Sequence, residues 1–340
     1  MAFEEIAGQD RAVDLLRAEL RSGGVPHAHL FVGPGGVGRR AVARELAGVM
    51  LCGESSTDMC GNCENCRAFA HDNHPDYLEI GVPEGRQSLP ISLIRGDEGG
   101  KERGVQEEAA LKPVTSDRRV FVVRDTEMMT MEAANCFLKT LEEPPGESYF
   151  ILLASGLQEI PDTIISRCRL IKFSGLPPDR VAGKLEEKGV DGADAAWLAR
   201  RTWGSPGKAS DFMEKQLHRS NQEIIGELLQ MGPRDNIRLS DELRERADEL
   251  GDSSAERRQM LQELVECIAV FFRDVAVVKL DPGVELFNED MRERITAYAD
   301  KRDIDTVVEL ADRSFEALER VGANANQRLV TLDLFSHLCA

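Results

Sequence analysis

Four short apolar runs stand out along the chain: HLFV at 29–32, VFVV at 120–123, YFILLA at 149–154 and LIKF at 170–173. Runs of this length, bounded by turn formers or charges, read as buried strands. Between them apolar residues recur three and four apart. Val37, Ala41, Val42, Leu46, Val49 and Met50 predict a helix over 37–50, and AANCFLKTLEE predicts another over 133–143. The second must stop at Pro144-Pro145, which cannot continue a helix. A loop punctuated by Gly and Pro over 82–97 enters a short helix at 91–95. Strands alternating with helices predict a parallel sheet covered on both faces. Past Ser174 the pattern is helical only, first over 179–216 and then from 221 onward, with breaks at 231–236, 251–254 and 281–285. The fold class expected is α/β followed by all-α.

Length and composition change this picture little. The chain has 340 residues, 42% of them hydrophobic, enough for two or three domains with a sizeable core. No stretch approaches the roughly 18 uninterrupted apolar residues of a membrane span, and the start MAFEE lacks the basic residues and apolar run of a signal peptide. The expectation is a cytoplasmic protein. Its net charge of −18 argues against a general nucleic-acid surface, because duplex binding rests on neutralising phosphates. Any DNA contact must be local or indirect.

The first candidate chemistry lies where the strand at 29–32 runs into GPGGVGRR at 33–40 and then into a helix. This is the order of a phosphate-binding loop, built here from Gly33, Gly35, Gly36, Gly38 and Arg39. A working loop of form GxxxxGK[ST] cradles phosphates with backbone N–H groups, reaches their outer oxygens with Lys and holds Mg²⁺ with the hydroxyl. Arg39 stands in place of the Lys and Arg40 in place of the hydroxyl. A guanidinium is permanently charged and offers only donors, so at that position it repels a metal. The strand at 120–123 is followed by Arg124-Asp125, where an active ATPase of this layout carries an Asp for Mg²⁺ and a Glu for the attacking water. A one-residue shift would put Asp125 in the metal role, but the 135–145 segment favours the alignment that places Arg124 there. A plain glycine turn in an ordinary α/β domain would not explain matched changes after two strands. The competing reading is an ATP-binding or weakly active ATPase that uses Arg39 as a phosphate clamp and Asp125 for the metal.

Four of the eight cysteines cluster as Cys52, Cys60, Cys63 and Cys66. In a reducing compartment this spacing reads as metal, and four thiolates close a tetrahedral Zn²⁺ site with no position left for water. An iron–sulfur cluster or unbound thiols are the alternatives. His71 and His74, just downstream, read as surface residues. Cys136, Cys168, Cys267 and Cys339 read as small buried apolar residues. The charged run DELRERADEL at 241–250 reads as a solvated helix face with i,i+4 pairing.

Several of these segments, taken in order, carry a resemblance. GQDRAVDLLRAEL (8–20), HAHLFVGPGGVG (27–38), the four-cysteine insert, NCFLKTLEEPP (135–145) and TIISRC (163–168) together resemble the clamp-loader branch of the AAA+ ATPases over about residues 4–175. ANANQRLVTLDLF (323–335) is similar to that family's collar terminus. The resemblance implies an AAA+ parallel-sheet nucleotide-fold domain over 1–175 with a zinc module inserted at 52–66. It further implies a small helical lid domain over 176–215 and a helical collar, or oligomerisation, domain over 216–340. The altered loop sets the chain apart from the family's ATP-hydrolysing gamma/tau subunits, so ATP would not be hydrolysed by this chain. By the same resemblance Arg167 is an arginine finger, acting in trans on ATP held by a neighbouring gamma/tau subunit, with Ser166 and Cys168 helping to set its geometry. Ser155 falls at the family's sensor position, and Lys208 near its second sensor. The implied partners are gamma/tau and delta clamp-loader subunits, with the sliding clamp and primed DNA reached through the complex, and no membrane.

Overall fold

A computed structural model describes residues 3, 8–55, 57–83, 85–86, 88–96, 103–323 and 325–339. The chain divides into two compact units, Met1–Pro177 and Pro178–Ala340. Most of the opening pentapeptide and Asp97, at the end of the expected 82–97 loop, lie outside the described residues.

The first unit is built on a five-stranded parallel sheet in the order β2-β3-β4-β1-β5. Its strands are β1 (Ala28–Val32), β2 (Tyr77–Ile80), β3 (Arg119–Val123), β4 (Ser148–Ala154) and β5 (Arg169–Lys172). Alternate side chains of the inner strands go to opposite faces, and each face has its own core. Leu30, Phe121, Phe150 and Leu152 pack on one face with Phe137 and Leu141. Phe31, Val122, Ile151 and Leu153 pack on the other with Leu16, Val42 and Leu46. The helices supplying these residues are α1 (Asp10–Ser22), α2 (Arg39–Leu51) and α6 (Met131–Glu142); α3 (Glu64–Ala70), α4 (Ile91–Arg95), α5 (Val105–Ala109) and α7 (Asp162–Ile165) are shorter. The α6 helix starts where the Thr130 side chain accepts the N–H of Ala133, and it ends just before the two prolines.

The strand absent from the sequence reading is β2. Its four residues, YLEI, are all only half-buried, and it sits at the sheet edge beside β3 alone. A charged Glu79 in so short a run hides the strand signal, while an edge position tolerates it.

The second unit is helical throughout its described residues: α8 (Pro178–Glu187), α9 (Gly192–Arg201), α10 (Pro206–Glu214), α11 (Leu217–Leu228), α12 (Asn236–Leu250), α13 (Ser254–Leu280), α14 (Arg292–Ala299), α15 (Ile304–Gly322) and α16 (Gln327–Leu338). The stretch expected as helical over 179–216 is broken twice, at helix starts capped by Asp191 and Ser205. The 27-residue α13 opens on a capping box between Ser253 and Glu256 and runs through the middle of this unit's core. The charged 241–250 run lies in α12. Arg238 and Glu242 form the i,i+4 pair, whereas Arg246 reaches across to Glu223 and Glu227 of α11. The expected lid (176–215) and collar (216–340) fall almost wholly within this unit, which begins at Pro178. Among the described residues no helix is long and apolar enough to cross a membrane.

Candidate functional site

The glycine loop joins β1 to α2 as its sequence demands. Gly33 lies against the backbone of Phe173, where any Cβ would come within 2.4 Å of the Phe173 carbonyl oxygen. Gly35 lies in the following turn, and Gly38 caps α2 with φ 101°, a left-handed conformation that side chains resist. The loop and the end of β3 enclose an open cavity of about 290 Å³ lined by Gly36, Gly38, Arg39, Arg40, Arg124, Asp125 and Glu127. The loop residues and the Arg124-Asp125 pair, distant in sequence, are thus brought together.

Three cations and two carboxylates line this cavity, and their pairing decides what it can do. Arg40 Nε lies 2.6 Å from Glu79 Oε1, and Arg124 Nε lies 3.0 Å from the same oxygen. The two arginines expected at magnesium positions therefore share one carboxylate. Tyr77 donates its hydroxyl to the other Glu79 oxygen at 2.9 Å. The Glu79 side chain is only 12% exposed, so it is screened less than a surface acid. Arg39 reaches the cavity from the first turn of α2. Burial holds its guanidinium below its ordinary value, while Glu127 and Asp125 act in the opposite direction. It remains a cation at neutral pH.

The acids have other partners. Asp125, with φ 54°, accepts the Val82 N–H at 3.2 Å. Glu127 accepts the Ser155 backbone N–H at 2.9 Å, and the Ser155 hydroxyl donates to the same oxygen. Ser155, the expected sensor position, is thereby tied to the cavity wall.

Ser166, Arg167 and Cys168 lie between α7 and β5, and none of them lines the cavity. Arg167 Nη1 donates to the Thr163 carbonyl at 2.9 Å and to Ser166 Oγ at 3.2 Å, and Nη2 pairs with Glu142 Oε1 at 2.5 Å. The side chain stays 35% exposed, so its outer edge faces solvent. Burial pushes the Cys168 thiol up to about 12, which makes it a packing group and not a nucleophile at neutral pH. Lys208 sits in the first turn of α10, where its backbone N–H donates to the Ser205 cap at 3.1 Å.

Cys52, Cys60, Cys63 and Cys66 converge, with all four sulfur atoms within 4.8 Å of one another. The N–H of Cys63 donates to Cys60 Sγ and that of Cys66 to Cys63 Sγ, both at 3.3 Å. Such N–H···S bonds favour thiolates. At Cys63 burial works to raise the thiol, but the backbone N–H groups of Cys66 and Gly53, with the Cys66 and Cys60 side chains, outweigh it and bring it down to about 7. Four converging sulfurs with oriented N–H donors fit a metal ion and leave no open coordination position.

Two of the expectations for the remaining His and Cys residues need correction. His74 is not a surface residue. It is 4% exposed, its ring packs edge-on to Phe69, and its Nδ1 accepts the Asp76 N–H at 3.1 Å. His71 is exposed as expected. Of the four dispersed cysteines, Cys267 and Cys339 are buried, whereas Cys136 and Cys168 are half-buried and the Cys136 thiol donates to Gln106. Glu79, Glu127 and Glu142 are site residues that sequence reasoning missed. For Glu79 the available signal was a lone acid inside an apolar run.

A family model described as "DNA polymerase III, delta subunit" matches residues 8–177, half of the 340-residue chain. The delta' subunit of DNA polymerase III from Bacillus subtilis (strain 168) is 31% identical over 194 residues, 57% of this chain and 56% of that one. The tau subunit of the same organism is 25% identical over 299 residues, 83% of this chain and 51% of that one. The chain thus spans about half the length of these curated relatives. Among solved structures, a gamma-subunit-related protein from Thermotoga maritima aligns over 95% of this chain and 98% of that one. Its identity is 16% and its TM-score 0.40. From the family match over residues 8–177, the chain belongs to the DNA polymerase III delta-subunit family of clamp-loader proteins, with delta-prime among its relatives.

Proposed function

We propose that this chain is a non-hydrolysing subunit of a DNA polymerase III clamp loader, of delta-prime type. The observation that carries this reading is the shared carboxylate: Arg40 and Arg124, both at magnesium positions, are bound to Glu79. A divalent cation placed there would face two guanidiniums, and phosphoryl transfer depends on metal to neutralise developing charge. The chain would join gamma/tau and delta subunits in a ring, supply Arg167 to ATP held by a neighbouring gamma/tau subunit, and help load the sliding clamp onto primed DNA. Ser166, Thr163 and Glu142 support this role by holding the Arg167 side chain, which stays 35% exposed. Structural zinc at Cys52, Cys60, Cys63 and Cys66 fits the closed four-sulfur cluster, and residues 216–340 would supply the oligomerisation collar. A protein with these partners works in the cytoplasm.

The alternative, a weakly active ATPase, is favoured by Asp125 and Glu127 lining the same cavity as Arg39. Steady-state hydrolysis by the isolated chain separates the two readings. No turnover above background is expected; magnesium-dependent turnover that Arg39→Ala abolishes, in a preparation free of partner subunits, overturns the non-hydrolysing reading.

A further inference from the structure

We propose that Glu79 is a built-in counter-anion that keeps the glycine loop from binding polyphosphate, so that removing its carboxylate opens a magnesium-independent polyanion site. The loop has the shape to receive phosphate, with Gly38 in the left-handed conformation and the α2 N-terminus directed at the cavity. It also has the cations. Two of them, Arg40 and Arg124, are held by one carboxylate oxygen, at 2.6 Å and 3.0 Å, while Arg39 faces Glu127 and Asp125.

The carboxylate is fixed in place from both sides. Tyr77 holds its second oxygen at 2.9 Å, and β2 pairs it into the sheet with Glu79 opposite Val122. Gly81 completes the fit, since a Cβ there would lie 2.9–3.0 Å from the Arg124 guanidinium. The strand therefore leaves room for Arg124 to lie back onto Glu79. A phosphate oxygen offers the same acceptor chemistry as a carboxylate, so the two compete for the Arg40 Nε–H that Glu79 accepts and for the charge of Arg124, which pairs with Glu79 without a hydrogen bond. An intramolecular anion held at hydrogen-bond distance has the advantage of needing no association entropy. With the carboxylate gone, Arg40 and Arg124 become unpaired neighbours of Arg39, and a polyphosphate replaces the lost charge without a metal to bridge it.

This inference extends the non-hydrolysing reading of the loop and does not depend on Arg167. The test is calorimetric titration of the full chain with inorganic triphosphate, in EDTA and at low salt. The wild-type chain should show no saturable binding up to about 1 mM. Glu79→Gln, close to isosteric, should bind at least tenfold more tightly, with affinity falling steeply as salt rises. Combining Glu79→Gln with Arg124→Ala or Arg40→Ala should erase the gain. Glu79→Asp, which withdraws the carboxylate by one methylene, should gain partially and serves if Glu79→Gln unfolds. Wild-type binding as tight as that of Glu79→Gln overturns the inference, as does a folded variant with no gain. Magnesium-dependent ATP turnover by the wild-type chain would instead overturn the non-hydrolysing reading, and would leave this comparison of variants intact.

Discussion

Arg167 Nη2 lies 2.5 Å from Glu142 Oε1, tying the arginine that follows α7 to the last residue of α6. Both side chains are substantially exposed, 35% and 48%, so the pair contributes at most about 1 kcal/mol to folding. Its consequence is orientation. Glu142 and the Thr163 carbonyl hold the two ends of one guanidinium, Nη2 and Nη1, and so fix its plane.

Arg167→Ala should leave the chain folded and able to assemble, yet lower hydrolysis at the neighbouring site. The loss of a finger is worth about 10³ to 10⁵ in rate, roughly 4 to 7 kcal/mol of barrier. Lys should substitute poorly because it lacks the planar fork. The measurement is clamp- and DNA-stimulated ATPase of the assembled complex; an unchanged rate with confirmed assembly rejects the role. Glu142→Gln should shift thermal stability by no more than about 1 kcal/mol.

The purified chain should carry one zinc ion, and Cys60→Ser should remove it. A ligand held at about a thousand times its Kd stabilises the folded state by about 4 kcal/mol, equivalent to about 10 °C in a domain of this size. Metal analysis by mass spectrometry and melting with and without chelator check both parts. Reduced thiols with well under one zinc per chain would count against a zinc centre.

His218 gives the second unit a pH-dependent component of stability. Its ring is stacked on Trp197 with centroids 4.8 Å apart, and its nitrogens lie 2.6 Å from Asp194 and 3.2 Å from Asp290. Burial works to lower its pKa, but hydrogen bonds to Asp290 and Asp194 outweigh it and hold the folded-state value above the ordinary one. A raised pKa means that this contribution is fully present below the unfolded value near 6.5 and is lost as pH rises through the folded value. His218→Asn should cost about 1 to 3 kcal/mol at pH 6 and progressively less at higher pH. Urea unfolding between pH 5.5 and 8.5 tests this, and a wild-type pH slope retained in the variant would exclude the histidine as its source.

Asp274 should be among the least replaceable residues of the second unit. It is fully buried in α13 and accepts the N–H groups of Phe287 and Asn288, the Asn288 side-chain amide, and Arg273 at 2.7 Å. Asn288, itself fully buried, accepts in turn from Trp197 and Asn221. Asp274→Ala strands these donors without solvent and should destabilise by about 3 to 5 kcal/mol, seen as a lower urea midpoint. A shift under about 1 kcal/mol would show that the network is not fully desolvated.

What sequence alone determined is local. The apolar runs that became β1, β3, β4 and β5, the glycine turn into α2 and the proline stop after α6 all follow from residues within a few positions of one another. The cysteine spacing likewise announced its own cluster, because three of the four ligands lie within one turn and a short helix. Arg40 and Arg124 could be read as misfits in a magnesium site, since each departs from a motif in its own segment. Only the tertiary structure decided what those arginines do instead. Their common partner Glu79 sits on an edge strand too short and too charged to be legible, and the sheet order puts that strand beside β3. The same holds for the burial of His74, the Glu142 contact of Arg167 and the pairing of Glu127 with Ser155. Each depends on which element packs against which, and long-range packing depends on shape complementarity summed over the whole core, which no single segment carries.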